Sequence, residues 1–290
     1  MRDYGVEGQL GLEETPEEYV ERLVEIFSEV RRVLRGDGTV FLNLGDSYYG
    51  GKGASNYNFQ KRRESGNLHG DQHNIEATIG GMRPLDAPQD GLKPKDLVGI
   101  PWRVAFALQA DGWWLRSDII WSKPNPMPES VRDRPTKSHE YIFLLSKSKT
   151  YYYDHEAIKE PFESAEEHAK RKRIVASHGD SEESSTGMAG GHNMLGDPEK
   201  GKNKRSVWTV ATKPYREAHF ATFPQDLIRP CVLAGCPAGG TVLDPFFGAG
   251  TTGLVSKQEA RGYIGIELNA EYVEMARDRI NGECPMERLI

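Results

Sequence analysis

Residues 242–252 set an acid, two aromatic rings and two glycines between an apolar run and a helix-forming stretch. The order is Val-Leu-Asp-Pro-Phe-Phe-Gly-Ala-Gly-Thr-Thr. Gly248 and Gly250 permit a tight turn and let the backbone approach a ligand closely. A helix starting at Thr251 points its first N–H groups at the same place, where they can hold an anionic group. A second apolar run ends at Glu267, close to the ~20-residue spacing expected of an acid that accepts from ribose hydroxyls. Gly248, Gly250, Thr251 and Glu267 are therefore candidate ligand-binding residues. A dinucleotide site uses the same logic, but it needs GxGxxG, and this turn does not have it.

The elements that must position this turn are legible on both sides of it. Residues 241–243 read as a short strand, 251–258 as a helix, 263–267 as a strand, and 270–280 as a helix capped by Asn269. Residues 224–233 read as a helix before them. Near the start, Tyr19, Leu23, Ile26, Phe27, Val30, Val33 and Leu34 recur at helical spacing over 16–34. Thr15 is a suitable N-cap, Pro16 a suitable N1 residue, and Glu18 is placed to close a capping box. The continuous apolar run 39–44 suits a strand covered on both faces. A helix is expected over 96–111, strands over 113–121 and 140–146, and a further short strand at Tyr151 to Tyr153. Helices alternating with strands indicate an α/β fold. Two stretches, 50–93 and 160–205, are polar and carry almost no apolar period. The first reads as a long insertion, and 177–191 within the second as a mobile loop.

The chain has 290 residues, 37% hydrophobic and 28% charged, enough for one large domain or two smaller ones. No apolar run is long enough to cross a membrane as a helix, and Met1 to Gly5 has no apolar run behind its charge. Three cysteines, Cys231, Cys236 and Cys284, lack CxxC spacing, so neither a disulfide scaffold nor a structural zinc is expected, and a cytoplasmic setting fits. Net charge is −6, so the whole chain does not announce a nucleic-acid partner. Local basic runs do occur: Lys61-Arg62-Arg63, 170–173 with Arg171 and Arg173, and 200–205 with Lys202, Lys204 and Arg205. Such runs can neutralise phosphates or simply face water.

The turn Asp244-Pro-Phe-Phe-Gly-Ala-Gly-Thr-Thr resembles the S-adenosylmethionine loop of the amino-methyltransferases that modify adenine N6 or cytosine N4 in DNA. The resemblance implies that this loop wraps the methionine part of the cofactor and that Glu267, in Gly-Ile-Glu-Leu-Asn, holds the ribose, which adds Asp244, Pro245, Phe246, Thr252 and Asn269 as cofactor-binding candidates. His219-Phe-Ala-Thr-Phe-Pro resembles the family segment that flanks the cofactor, which adds His219, Phe220 and Thr222 to the candidates. Residues 11–46, 97–121, 121–126 and 139–143 are similar to further family stretches, and Lys123 lies in the Lys-Pro turn among them. With the cofactor loop last, the order looks like the β-class arrangement. The resemblance then implies three parts: a base-side half over 1–154 with its insertion at 50–93, a target-recognition region over 155–205, and a cofactor half over 206–290.

The family's catalytic motif is Asp/Ser/Asn-Pro-Pro-Tyr/Phe, and no such tetrapeptide occurs in these 290 residues. The resemblance places it just before Arg2-Asp3-Tyr4-Gly5. It also implies that the strand carrying it is central to the sheet, so its loss would expose two rows of unpaired backbone groups. A late start, a decayed copy or a strand supplied by a partner chain would each account for this. On any of them the isolated chain is expected to be weak in catalysis, and no catalytic residue is assigned.

The expectation is thus a methyltransferase-type, Rossmann-like α/β fold with a mostly parallel sheet. Its cofactor is S-adenosylmethionine and its partner double-stranded DNA, in a monomer or homodimer. Base flipping is implied by the resemblance. Phosphate contacts would come from Lys61, Arg62, Arg63, Lys123, Arg171, Arg173, Lys202, Lys204 and Arg205. Cytosine N4 is preferred as the target, because the Arg-Asp-Tyr-Gly start resembles the residues after Ser-Pro-Pro-Tyr-Trp in relatives. Adenine N6 is the alternative, and a cofactor-binding remnant without transfer is the non-enzymatic one.

Overall fold

The computed structural model describes residues 6, 8–49, 91–161, 201–213 and 223–283. Helix α1 (Pro16–Val33) leads into strand β1 (Thr39–Leu44). Helix α2 (Ile100–Ala110) then precedes β2 (Trp114–Ser122) and β3 (His139–Ser146). Strand β4 (Val207–Thr209) is followed by α3 (Gln225–Gly235), β5 (Thr241–Asp244), α4 (Thr251–Gln258), β6 (Gly262–Gly265) and α5 (Ala270–Glu283).

The four-stranded sheet has the order β1-β3-β2-β4. Strands β1, β2 and β4 run one way, and β3 runs against them. Strands β5 and β6 form a separate parallel pair. Among the described residues, β1, β4, β5 and β6 each pair on one side only.

Side-chain alternation along the strands builds two cores. On one face Leu42, Phe143 and Leu145 pack with Leu23, Phe27 and Val30 of α1 and Val104 and Leu108 of α2. On the other, Ile119, Trp121, Ile142 and Trp208 pack with Leu227 and Cys231 of α3. Leu243 of β5 joins the first core, so α1 bridges the sheet and the β5–β6 pair. Both Cys231 and Cys236 are free thiols.

Local chemistry explains most boundaries. The Thr15 hydroxyl accepts the Glu18 N–H, and the Glu18 carboxylate returns to the Glu14 N–H, one residue earlier than a capping box requires. Helix α2 starts at Ile100, not 96. Gly99 is left-handed (φ 76°), and Asp46, from beyond β1, accepts the N–H groups of Gly99 and Ile100. Residues 151–153 are not a strand. The Tyr152 N–H donates to the Asp37 carbonyl in a loop, and no ladder continues it. Strand β4 was not foreseen; it lies beside β2 with Trp208 buried. Glu160 and Lys202 exchange two backbone hydrogen bonds, at 2.8 and 2.9 Å. Beside them Gly201 (φ 85°) is required, because a Cβ there would lie 2.5 Å from the Glu160 carbonyl oxygen.

Candidate cofactor site

Strand β5 ends at Asp244, and the chain turns through Phe246 to Gly250 before α4 begins. The Asp244 carboxylate organises this turn. One oxygen accepts the Phe246 N–H at 2.9 Å, and the other accepts the Thr252 hydroxyl at 2.6 Å. Burial pushes the Asp244 carboxyl above the usual carboxylate range, against those two hydrogen bonds, which favour the charged form.

Both turn glycines have positive φ, 50° at Gly248 and 75° at Gly250. Their surroundings differ. A Cβ on Gly248 would meet nothing within 4 Å, so the backbone there faces open space, as close approach of a ligand requires. A Cβ on Gly250 would lie 2.8 Å from Ala276 Cβ, because α5 abuts the turn. Glu267, after β6, returns to this point. Its carboxylate accepts the Gly248 N–H at 2.7 Å and the Asn269 N–H at 2.9 Å. Asn269 caps α5 by accepting the Glu271 N–H. Asp244, Gly248, Gly250, Thr251, Thr252, Glu267 and Asn269 thus meet around one turn. Pro245 lines an apolar groove against Ile26, Val30 and Val33 of α1, and Phe246 faces Phe27 with ring centroids 6.4 Å apart.

Two contributors to this turn, Phe247 and Arg279, carry no clear signal in the sequence. The Phe247 ring stacks on Tyr263, and a Cβ on Gly253 or Gly265 would strike it, at 2.6 and 2.3 Å. Arg279 of α5 donates to the Ala249 carbonyl and the Thr251 hydroxyl. Its only sequence signal is a cation on the same helix face as buried Ala276 and Ile280. At the end of β1, the Asp46 side chain is nearly buried, with Lys137 Nζ 3.9 Å from its second oxygen. Burial lowers the Lys137 pKa, and nearby Asp46 and Glu140 oppose that shift.

His219, Phe220, Thr222, Lys61, Arg62, Arg63, Arg171 and Arg173 lie outside the described residues. Lys123 forms an ion pair with Glu140 and rests on the Trp121 ring, its Nζ 4.2 Å from the centroid. Lys202, Lys204 and Arg205 gather around Glu160. Lys204 Nζ and Arg205 Nε lie 3.5 and 3.0 Å from its carboxylate.

The DNA methylase family model matches residues 3–278. Type II methyltransferase M.Cfr9I of Citrobacter freundii is 49% identical over 283 residues, spanning 98% of this chain and 78% of that protein. Type II methyltransferase M.SmaI of Serratia marcescens is 47% identical, spanning 97% and 80%. Two solved structures share the fold. One is PvuII DNA methyltransferase (cytosine-N4-specific), with a TM-score of 0.57 at 16% identity, over 92% of this chain and 76% of that one. The other is a putative DNA modification methylase from Thermus thermophilus complexed with S-adenosyl-L-methionine, with a TM-score of 0.51 at 18% identity, over 93% and 79%. Among the described residues no helix is long and apolar enough to cross a membrane. The chain belongs to the N6/N4 DNA methylase family and is an S-adenosylmethionine-dependent DNA methyltransferase.

Proposed function

We propose that this methyltransferase modifies the N4 amine of cytosine at a specific site in double-stranded DNA, with the cofactor held at the turn from Asp244 to Thr252. The observation that carries the cofactor placement is the joint between Glu267 and Gly248. It puts a carboxylate, an open glycine backbone and a helix N-terminus within one turn of chain. These groups fit S-adenosylmethionine. The α4 N-terminus offers N–H groups to its carboxylate, and Glu267 offers acceptors to its ribose hydroxyls. When bound, the cofactor supplies an electrophilic methyl on a sulfonium. The protein's own contribution is to hold it in line with the amine, where orientation accounts for much of the rate.

Support for cytosine comes from Arg2-Asp3-Tyr4-Gly5, which resembles the sequence after Ser-Pro-Pro-Tyr-Trp in relatives, a motif whose Ser leans towards cytosine. No residue is assigned to the base-side chemistry. Candidates for phosphate contact gather at Lys202, Lys204 and Arg205, and 155–205 is the proposed recognition region. The test is mass spectrometry of nucleosides from DNA incubated with the protein and S-adenosylmethionine. N4-methylcytosine is expected, in the low yield that the absent Pro-Pro-Tyr motif implies. N6-methyladenine instead would overturn the target base, and no methylated base would overturn the activity of this chain.

A further inference from the structure

We propose that Arg279 is a positioning residue for the cofactor turn: without touching the ligand, it sets the geometry that the ligand meets. The proposal rests on the placement of the cofactor at Asp244 to Thr252. Helix α5 lays Ala276, Arg279 and Ile280 against the turn, close enough that Gly250 has no room for a Cβ. From there one terminal nitrogen of Arg279 donates to the Ala249 carbonyl at 3.1 Å and to the Thr251 hydroxyl at 2.9 Å. Its Nε donates to the Glu283 carboxylate at 3.2 Å. The side chain is 8% exposed, so these contacts are made out of water.

The Ala249 carbonyl and the Gly250 N–H belong to one rigid peptide plane. Arg279 holds the carbonyl, while the N–H donates to the Phe247 carbonyl at 3.0 Å. The plane between two left-handed glycines is therefore fixed from both sides. Glycines are the residues with most conformational freedom to lose, so a turn ordered before binding spares the ligand that cost. Electrostatics point the same way. A cation beside the first turn of α4 opposes the helix dipole and does not serve the stability of that helix. It reinforces the positive potential that draws an anionic ligand group to the helix N-terminus. A lysine cannot reproduce this, since its point charge lacks the planar fork that serves two acceptors and Glu283 together.

The experiment compares Arg279→Gln and Arg279→Lys with Val104→Ala, a buried core change in α2 far from the turn in sequence. Each is measured for S-adenosylmethionine Kd by calorimetry, for Tm, and for kcat at saturating cofactor. Arg279→Gln should raise Kd about tenfold with kcat within about twofold, and Arg279→Lys should recover only part of the loss. Val104→Ala should lower Tm and leave Kd unchanged. Wild-type affinity in Arg279→Gln would overturn the proposal. So would equal shifts in Kd for Arg279→Gln and Val104→Ala at matched Tm, since Arg279 would then be merely structural. A wild-type protein that binds no cofactor would instead overturn the placement of the cofactor at this turn.

Discussion

The Glu267 carboxylate accepts the Gly248 N–H at 2.7 Å, which ties the end of β6 to the open glycine of the cofactor turn. Its second oxygen accepts the Asn269 N–H. The two donors use different oxygens, and an amide would turn its NH2, a donor, towards one of them. Glu267→Gln should therefore free one of the two anchors and weaken S-adenosylmethionine binding about tenfold, with Tm little changed. Titration calorimetry reads this directly, and unchanged affinity would remove Glu267 from the site.

The two turn glycines should respond differently to alanine. At Gly248 the new methyl enters open space, so Gly248→Ala costs only the left-handed backbone, about 1 kcal/mol, but crowds the ligand side. At Gly250 the same backbone cost is joined by a clash with the Ala276 Cβ and Cα, for roughly 3 kcal/mol in all. Chemical denaturation should rank Gly250→Ala well below Gly248→Ala in stability. Equal losses would contradict the packing of α5 on the turn.

Asp244 predicts a pH dependence. Its folded pKa lies above the ordinary value of 3.8, chiefly through burial. A raised pKa means that the folded state holds the proton more tightly than the unfolded state does. The contribution of this group to stability is then full below 3.8 and is lost as pH rises through the higher folded value. Asp244→Asn cannot ionise, so its Tm relative to wild type should climb as pH rises above 3.8 into the mildly acidic range. A difference that stays flat with pH would rule this out.

The candidate phosphate contacts should separate by exposure. Lys123 is 19% exposed in its side chain and paired with Glu140, whereas the Arg205 side chain is 63% exposed beside Glu160. Arg205→Ala should reduce the salt dependence of DNA binding by about one phosphate contact. Lys123→Met should leave that slope alone and act through the Trp121 face. The reverse order in a fluorescence-anisotropy salt series would move the DNA surface to the strand ends.

What the sequence revealed was local. The Thr15-Pro16 start of α1, the Asn269 cap and the turn with Glu267 are each written within a few residues or one strand–helix–strand unit, so type and spacing suffice. The misses all depend on distant partners. Asp46 delays the start of α2 to Ile100 by capping it from beyond β1. Tyr151 to Tyr153 carries strand-like residues but finds no neighbouring ladder. Val207 to Thr209 is too short to stand out and becomes a strand only beside β2. Arg279 and Phe247 act through helix packing and ring stacking, which no spacing rule along the chain expresses.

The paired hydrogen bonds between Glu160 and Lys202 fix where the proposed recognition region joins the rest of the chain. Between β3 and β4 the chain is tied to itself at 160 and 202, by those bonds and by the tight fit of Gly201. Closing a loop twice as long costs only about 0.6 kcal/mol more. The number of residues between 161 and 201 can therefore change at little entropic cost. On the proposed assignment of 155–205 as recognition region, one methyl-transfer chassis would in this way be refitted for a new DNA sequence.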